Sequence, residues 1–134
     1  MNKKIIFISA VLILVETLIH FYGVFFFGYI NFWWLDILTH FIGGFWLSLT
    51  AIWFFWFSGY LHLKLHPTFF KVLLSGVFAV LVVAFLWELF ELIVGINYFP
   101  EGYMVDTMFD IVIGTFGGIL SSITTAYLWQ KNLN

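Results

Sequence analysis

Four long apolar runs constrain what this chain can become. They cover residues 5–27, 32–57, 69–95 and 105–130. A helix rising about 1.5 Å per residue crosses a hydrocarbon core of about 30 Å with roughly twenty such residues, so each run is long enough to span. Lipid offers no water to backbone N–H and C=O groups, so a spanning segment of this kind satisfies them within itself as an α-helix. Hydrophobic residues make up 63% of the chain and charged residues 9%, where soluble domains carry roughly 25% charged residues. The expected fold is all-α: a polytopic membrane protein in which residues 1–134 form a single four-transmembrane-helix bundle. The implied partner is the lipid bilayer.

The connections are polar or glycine-containing. Gly28-Tyr29-Ile30-Asn31 reads as a tight connection, 58–68 as a polar loop with Gly59, Lys64 and Pro67, and 96–104 as a third loop with Pro100 and Gly102. Trp33, Trp34, Trp53, Trp56, Tyr98 and Tyr103 fall at run ends, where aromatic rings suit the membrane–water interface. The first run follows Lys3-Lys4, as a signal peptide would, but Glu16-Thr17-Leu18-Ile19-His20 contains no small-x-small cleavage site. An uncleaved helix is expected. His62 and His66 are four apart and could bind a metal, yet Lys64 between them and Pro67 after them favour a solvated loop.

Four spans return both termini to one side. Lys3, Lys4, Lys64, Lys71 and Lys131 all fall at that end. By the positive-inside tendency this end is cytoplasmic, in a multi-pass cell-membrane protein. There is no arginine and no basic patch, which excludes a nucleic-acid partner. There is no cysteine, hence no disulfide, thiolate nucleophile or Cys-ligated metal. The sequence sets no oligomeric state.

The ionisable residues inside the runs gather at the end away from the lysines. Asp36 and His40 are four apart, so on a helix they share a face. Glu16 with His20, Glu88 with Glu91, and Asp106 with Asp110 repeat the arrangement. Six carboxylates thus sit in apolar runs with no lysine or arginine near them. Fully ionised they would repel one another in low dielectric, so positive charge must come from metal cations or from protons. Oxygen and imidazole ligands without sulfur suit Fe, Mn or Zn, and one or two divalent ions would offset much of the charge. His20, Asp36, His40, Glu88, Glu91, Asp106 and Asp110 are the candidate metal ligands. Glu88 and Glu91 are also the candidate catalytic acid/base or bridging residues. Helical carboxylate and His pairs aimed into a bundle resemble di-iron proteins in chemistry, although the Glu-x-x-His signature is absent. Gly114-x-x-x-Gly118 and Gly44-x-x-x-Ser48 are small-residue faces that let helices approach closely beside these acids.

His20-Phe21-Tyr22-Gly23, Leu35-Asp36-Ile37-Leu38-Thr39-His40-Phe41 with Gly44, Trp87-Glu88-Leu89-Phe90-Glu91, and Asp106-Thr107-Met108-Phe109-Asp110 with Gly117 occur in that order over about residues 19–120. In this set the chain resembles the YjdF-like inner-membrane proteins, an uncharacterised prokaryotic family. The chain is shorter than the usual member, which carries extra N-terminal membrane helices, and Glu16 stands outside the family pattern. The resemblance implies the topology and the site residues and supplies no reaction.

Three readings follow from the pattern. One is a metal-dependent membrane enzyme acting on a lipid or a small molecule. Another is an ion- or proton-coupled transporter using the cluster as a half-channel site. Its inward half would hold only Ser48, Thr50, Ser75, Ser121, Ser122, Thr124 and Thr125, with no acid to continue the path. The third is a subunit that needs the cluster for assembly. The lysine distribution carries its own test. A reporter fused after Asn134 is expected to be active in the cytoplasm, and activity only on the opposite side would reverse the orientation.

Overall fold

Residues 2–61, 66–95 and 102–131 are described by the computed structural model, and among them there is no strand. Helix α1 is Asn2–Phe25, α2 is a single turn at Gly28–Asn31, and α3 is Trp33–Ile52, continued by a π-helical turn at Trp53–Phe57. Helices α4, Phe69–Val94, and α5, Tyr103–Lys131, complete the chain. Four of these elements, with α3 counted together with its π turn, are long and apolar enough to cross a membrane. The paired-histidine reading of the second loop involves His62, which lies outside the described residues, as do Lys64, Asn97, Tyr98, Pro100 and Glu101.

Local chemistry explains the helix ends. Thr68 follows Pro67 in extended backbone, and its hydroxyl accepts from the Lys71 N–H at 3.4 Å, starting α4. Gly95 ends α4 at φ 73°, a left-handed conformation natural to glycine, and its N–H donates to the Glu91 carbonyl at 2.9 Å. The connection at 28–31 is not a plain turn. It is helical, because Phe27 takes the left-handed region at φ 57° and its carbonyl accepts from Ile30 and Asn31 at 3.2 and 3.1 Å. Gly28 is needed for close approach instead: a Cβ there would stand 2.9 Å from Leu35 Cδ2 and 3.0 Å from Gly23 Cα. At the other end of α3, Ser58 N–H reaches back five residues to the Trp53 carbonyl at 2.8 Å, the spacing of a π-helix.

The helix pairings run in register. Asp110 and Gly114 of α5 lie against His40 and Gly44 of α3, Ser122 bonds Ser48, and Trp129 meets Phe57, so α3 and α5 are parallel. Helix α4 runs the opposite way, with Gly76 beside Ser122 and Ser48, and Tyr103 at the level of Glu88. Helix α1 is also antiparallel to α3, pairing Ser9 with Thr50 and Glu16 with Gly43. The start of α1 and the end of α5 therefore share one end of the bundle, with Lys3, Lys4, Lys71 and Lys131. Asp36, Glu91 and Asp106 lie toward the other.

The lysine half is packed. Ile52, Val72 and Ala126 have no exposure, and Trp56, Phe57 and Phe69 close around them. Several polar residues of this half bond to one another or to their own helices, while Ser121 Oγ and Trp53 Nε1 are buried with no hydrogen-bond partner among the described residues. Ser48 and Ser122 hydroxyls are 2.8 Å apart, Trp56 Nε1 donates to Ser75 Oγ at 2.8 Å, and Thr124 bonds carbonyls of its own helix. Phe7, Val11, Leu14, Leu18, Phe21 and Phe25 form an exposed stripe at three- and four-residue spacing along α1, suited to lipid. Only 6% of the spanning part of α1 is buried, against 39% for α5.

The α3–α5 crossing leaves no room for side chains. A Cβ at Gly44 would collide with the Gly114 carbonyl, and one at Gly117 would collide with the Phe41 carbonyl. Backbone cannot yield as a flexible side chain can. Gly44→Val is expected to cost about 3 kcal/mol or more, read as a lower unfolding temperature in detergent. Gly102→Ala, with nothing near its Cβ, should leave that temperature unchanged.

Candidate functional site

At the end away from the lysines, α1, α3, α4 and α5 enclose a cavity of about 730 Å³. Glu16 and His20 reach it from α1, Asp36 and His40 from α3, Glu88 and Glu91 from α4, and Asp106 and Asp110 from α5. All seven candidate ligands therefore line one cavity, together with Glu16. The four-residue spacings put both members of three pairs on the same helix face, and antiparallel alternation brings the four faces to one depth.

Three of these residues come closest. His40 Nε2 stands 3.6 Å from Asp36 Oδ1, one turn back on its own helix, and 3.6 Å from Asp110 Oδ1 on α5. One ligand atom from each lies within 4.8 Å of the others. The α3–α5 glycine crossing produces this arrangement: Gly44 and Gly114 touch one turn below His40 and Asp110, so the helices are too close there for the two side chains to avoid each other. Asp110 is only 6% exposed.

The remaining residues surround this triad without joining it. Glu88 is 5% exposed, and its backbone carbonyl accepts from the Tyr103 hydroxyl at 3.0 Å. Glu91 accepts from Trp87 Nε1 at 2.9 Å. Asp106 lies on the cavity wall one turn before Asp110. His20 Nδ1 and the Tyr29 hydroxyl form a hydrogen bond of 2.8 Å, and the His20 ring meets the edge of Trp87 with centroids 6.4 Å apart. The Glu16 carboxylate faces Gly43, and its Oε2 is buried with no hydrogen-bond partner among the described residues.

The aromatic partners are not evident from the sequence. The sequence places Tyr29 in a connection, yet it is 4% exposed and hydrogen-bonds His20. Trp87 stands in the sequence only as part of a motif, and Tyr103 only as an interface anchor. A tyrosine beside Gly28, between two helices bearing acids, was the available signal for Tyr29. Nothing in residue type distinguishes Trp87 or Tyr103 from ordinary lipid-facing aromatics.

Four apolar helices of alternating direction, with polar groups gathered inside one end, define an integral membrane protein of the all-α class. The family model described as a predicted membrane protein family, DUF2238, matches residues 4–132, and the chain belongs to that family. The resemblance to YjdF-like proteins is consistent with it. Neither a curated protein nor a solved structure matches the chain.

The His20–Tyr29 bond links the short α2 turn to α1. Tyr29→Phe keeps the ring and removes the hydroxyl, and should lower stability by about 1 kcal/mol. Thermal unfolding in detergent measures this, and an unchanged midpoint would show that the bond contributes nothing.

Proposed function

We propose that this protein is a metal-dependent membrane enzyme whose site is the acidic cavity, with Asp36, His40 and Asp110 holding a divalent ion. The observation that carries the reading is the triad. Two of its edges are 3.6 Å, close to the roughly 3.4 Å between ligands of a tetrahedral ion with bonds of about 2.1 Å. The distances are also too long for direct hydrogen bonds, which end near 3.2 Å. The carboxylate–carboxylate edge, at up to 4.8 Å, would contract on binding. The donor set has oxygen and imidazole and no sulfur, which suits Fe, Mn or Zn.

Such an ion supplies Lewis-acid activation of water or of a substrate oxygen. Glu88 and Glu91 are the proton carriers of this reading. Trp87 orients Glu91 through its indole N–H. Asp106, His20 and Glu16 provide the remaining polar wall and room for a second ion. The substrate is a lipid or a small molecule that reaches the acidic end, and the lysine end faces the cytoplasm.

An ion- or proton-coupled transporter would need the path to continue through the lysine half. There Ser48, Ser121, Ser122, Ile52 and Val72 are fully buried and tightly packed, which favours the enzyme. Metal analysis of the purified protein tests the reading. We expect bound divalent metal, lowered by both His40→Ala and Asp36→Asn. A chelator should lower the unfolding temperature, since a ligand at a hundred times its Kd stabilises the folded state by about 2.7 kcal/mol. A metal-free wild type, insensitive to chelator and stabilised by Asp36→Asn, would reject the metal and leave protons as the compensation.

A further inference from the structure

The cavity has a second part that the acids do not explain. Beyond Asp110 it continues toward the lysine end between Ile13, Leu47, Val80, Val83 and Ala84. These residues carry no polar side-chain atom. The wall also includes Trp46, a mostly apolar ring with one N–H, and Thr17, whose hydroxyl is engaged by the Ile13 carbonyl of its own helix at 2.7 Å. From the ends of α1 and α4 to Ile13 and Val80 is twelve to fourteen residues, or about 20 Å of depth. The space is a narrow polar chamber continued by an apolar slot.

The slot lies along a gap in the bundle. Among the described residues, α1 packs on α3 and on the π turn, and α4 packs on α3 and α5. Between α1 and α4 the described ring contact is His20 with Trp87 near the acidic end. On the lysine side of that contact Thr17 and Val83 are exposed. Both helices present apolar faces outward, with Leu14 and Leu18 on one and Phe78 and Leu81 on the other. In a bilayer this gap faces hydrocarbon.

An apolar slot open to hydrocarbon does not hold water, which needs polar partners, and an empty space forfeits its dispersion contacts. The occupant with matching chemistry is a hydrocarbon chain. We propose that the site draws its substrate sideways from the bilayer, through the α1–α4 gap below His20 and Trp87. The substrate class is a lipid whose chain lies along Ile13, Leu47, Val83 and Ala84, with its polar head at the acidic chamber. The chamber wall has six carboxylates and neither lysine nor arginine, so the favoured head carries no net negative charge. This deepens the enzyme reading and rests on it only for the chemistry that follows binding.

The test uses the full chain in vesicles of phosphatidylcholine bearing a photoactivatable diazirine at the chain end. After illumination, peptide mapping should find adducts on Ile13 and Leu47 inside the slot, which are partly exposed, as well as on Phe78 and Leu74 outside. Ala84→Trp, which fills the gap, should lower the interior adducts about tenfold, the worth of a few buried methylenes, and leave the exterior ones unchanged. Thr17→Phe fills it from the opposite helix and should act alike. Phosphatidylglycerol with the same probe should label the interior less. Absence of interior adducts in the wild type, or their persistence in both filled variants, overturns lateral access. Equal interior labelling by the anionic lipid overturns the head-group preference. Metal content measured on the same samples separates this from the metal reading: metal without interior adducts removes lateral access alone, and interior adducts without metal remove the metal alone.

Discussion

The backbone contact between α3 and α5 at Gly44 and Gly114 governs the rest of the molecule. Without hydrophobic force between helices in lipid, association depends on close van der Waals approach and on polar contacts between helices. Here the approach is close enough that the glycine of one helix meets the carbonyl of the other. Ser48 and Ser122 continue the same seam, one turn on along α3 and two along α5, bonded at 2.8 Å. The seam fixes the parallel register of α3 and α5, and the register brings His40 opposite Asp110. Helix α4 then fits its Gly76 over the two serines and its Val80 against Gly118.

This arrangement divides the bundle by height. The lysine half pairs Ser48 with Ser122 and is closed by Ile52, Val72 and Ala126. The acidic half stays open because α1 packs on α3 and its flanking turns and scarcely on α4 or α5, which leaves a cavity where a tighter four-helix core would have filled it. Polar groups in hydrocarbon are costly unless satisfied. The structure satisfies some of them with aromatic partners on the cavity wall: Trp87 donates to Glu91, and Tyr29 shares a hydrogen bond with His20.

The spans were legible because run length alone identifies a transmembrane helix, and the small-residue faces at Gly44 and Gly114 were legible because glycine in such a run has few other uses. The depth of the acids followed from counting rise per residue. The selection of Asp36, His40 and Asp110 as the close set did not follow. It depends on the rotation of α5 about its axis relative to α3, which no spacing within a single helix encodes. Glu88 and Glu91 drew attention as the pair placed between the others by depth, but lateral position set them on the surrounding wall. The π turn at 53–57 and the left-handed Phe27 were likewise invisible, because aromatic and apolar residues carry no local signal for either conformation.

Helix α1 buries 6% of its spanning window yet has a mean hydropathy of 2.2, above the 1.5 and 1.6 of the central α3 and α5 windows. Its apolar character therefore serves something other than packing. With so little of it packed against other helices, α1 is held in the bilayer mainly by its own contact with lipid. An acidic side chain at the middle of a helix costs on the order of 3 kcal/mol in that setting, and each leucine, isoleucine, phenylalanine or valine returns about 0.3–0.6. The run of apolar residues around Glu16 thus acts as a counterweight: it lets a sparsely packed helix carry an acid at mid-depth and still remain in the membrane.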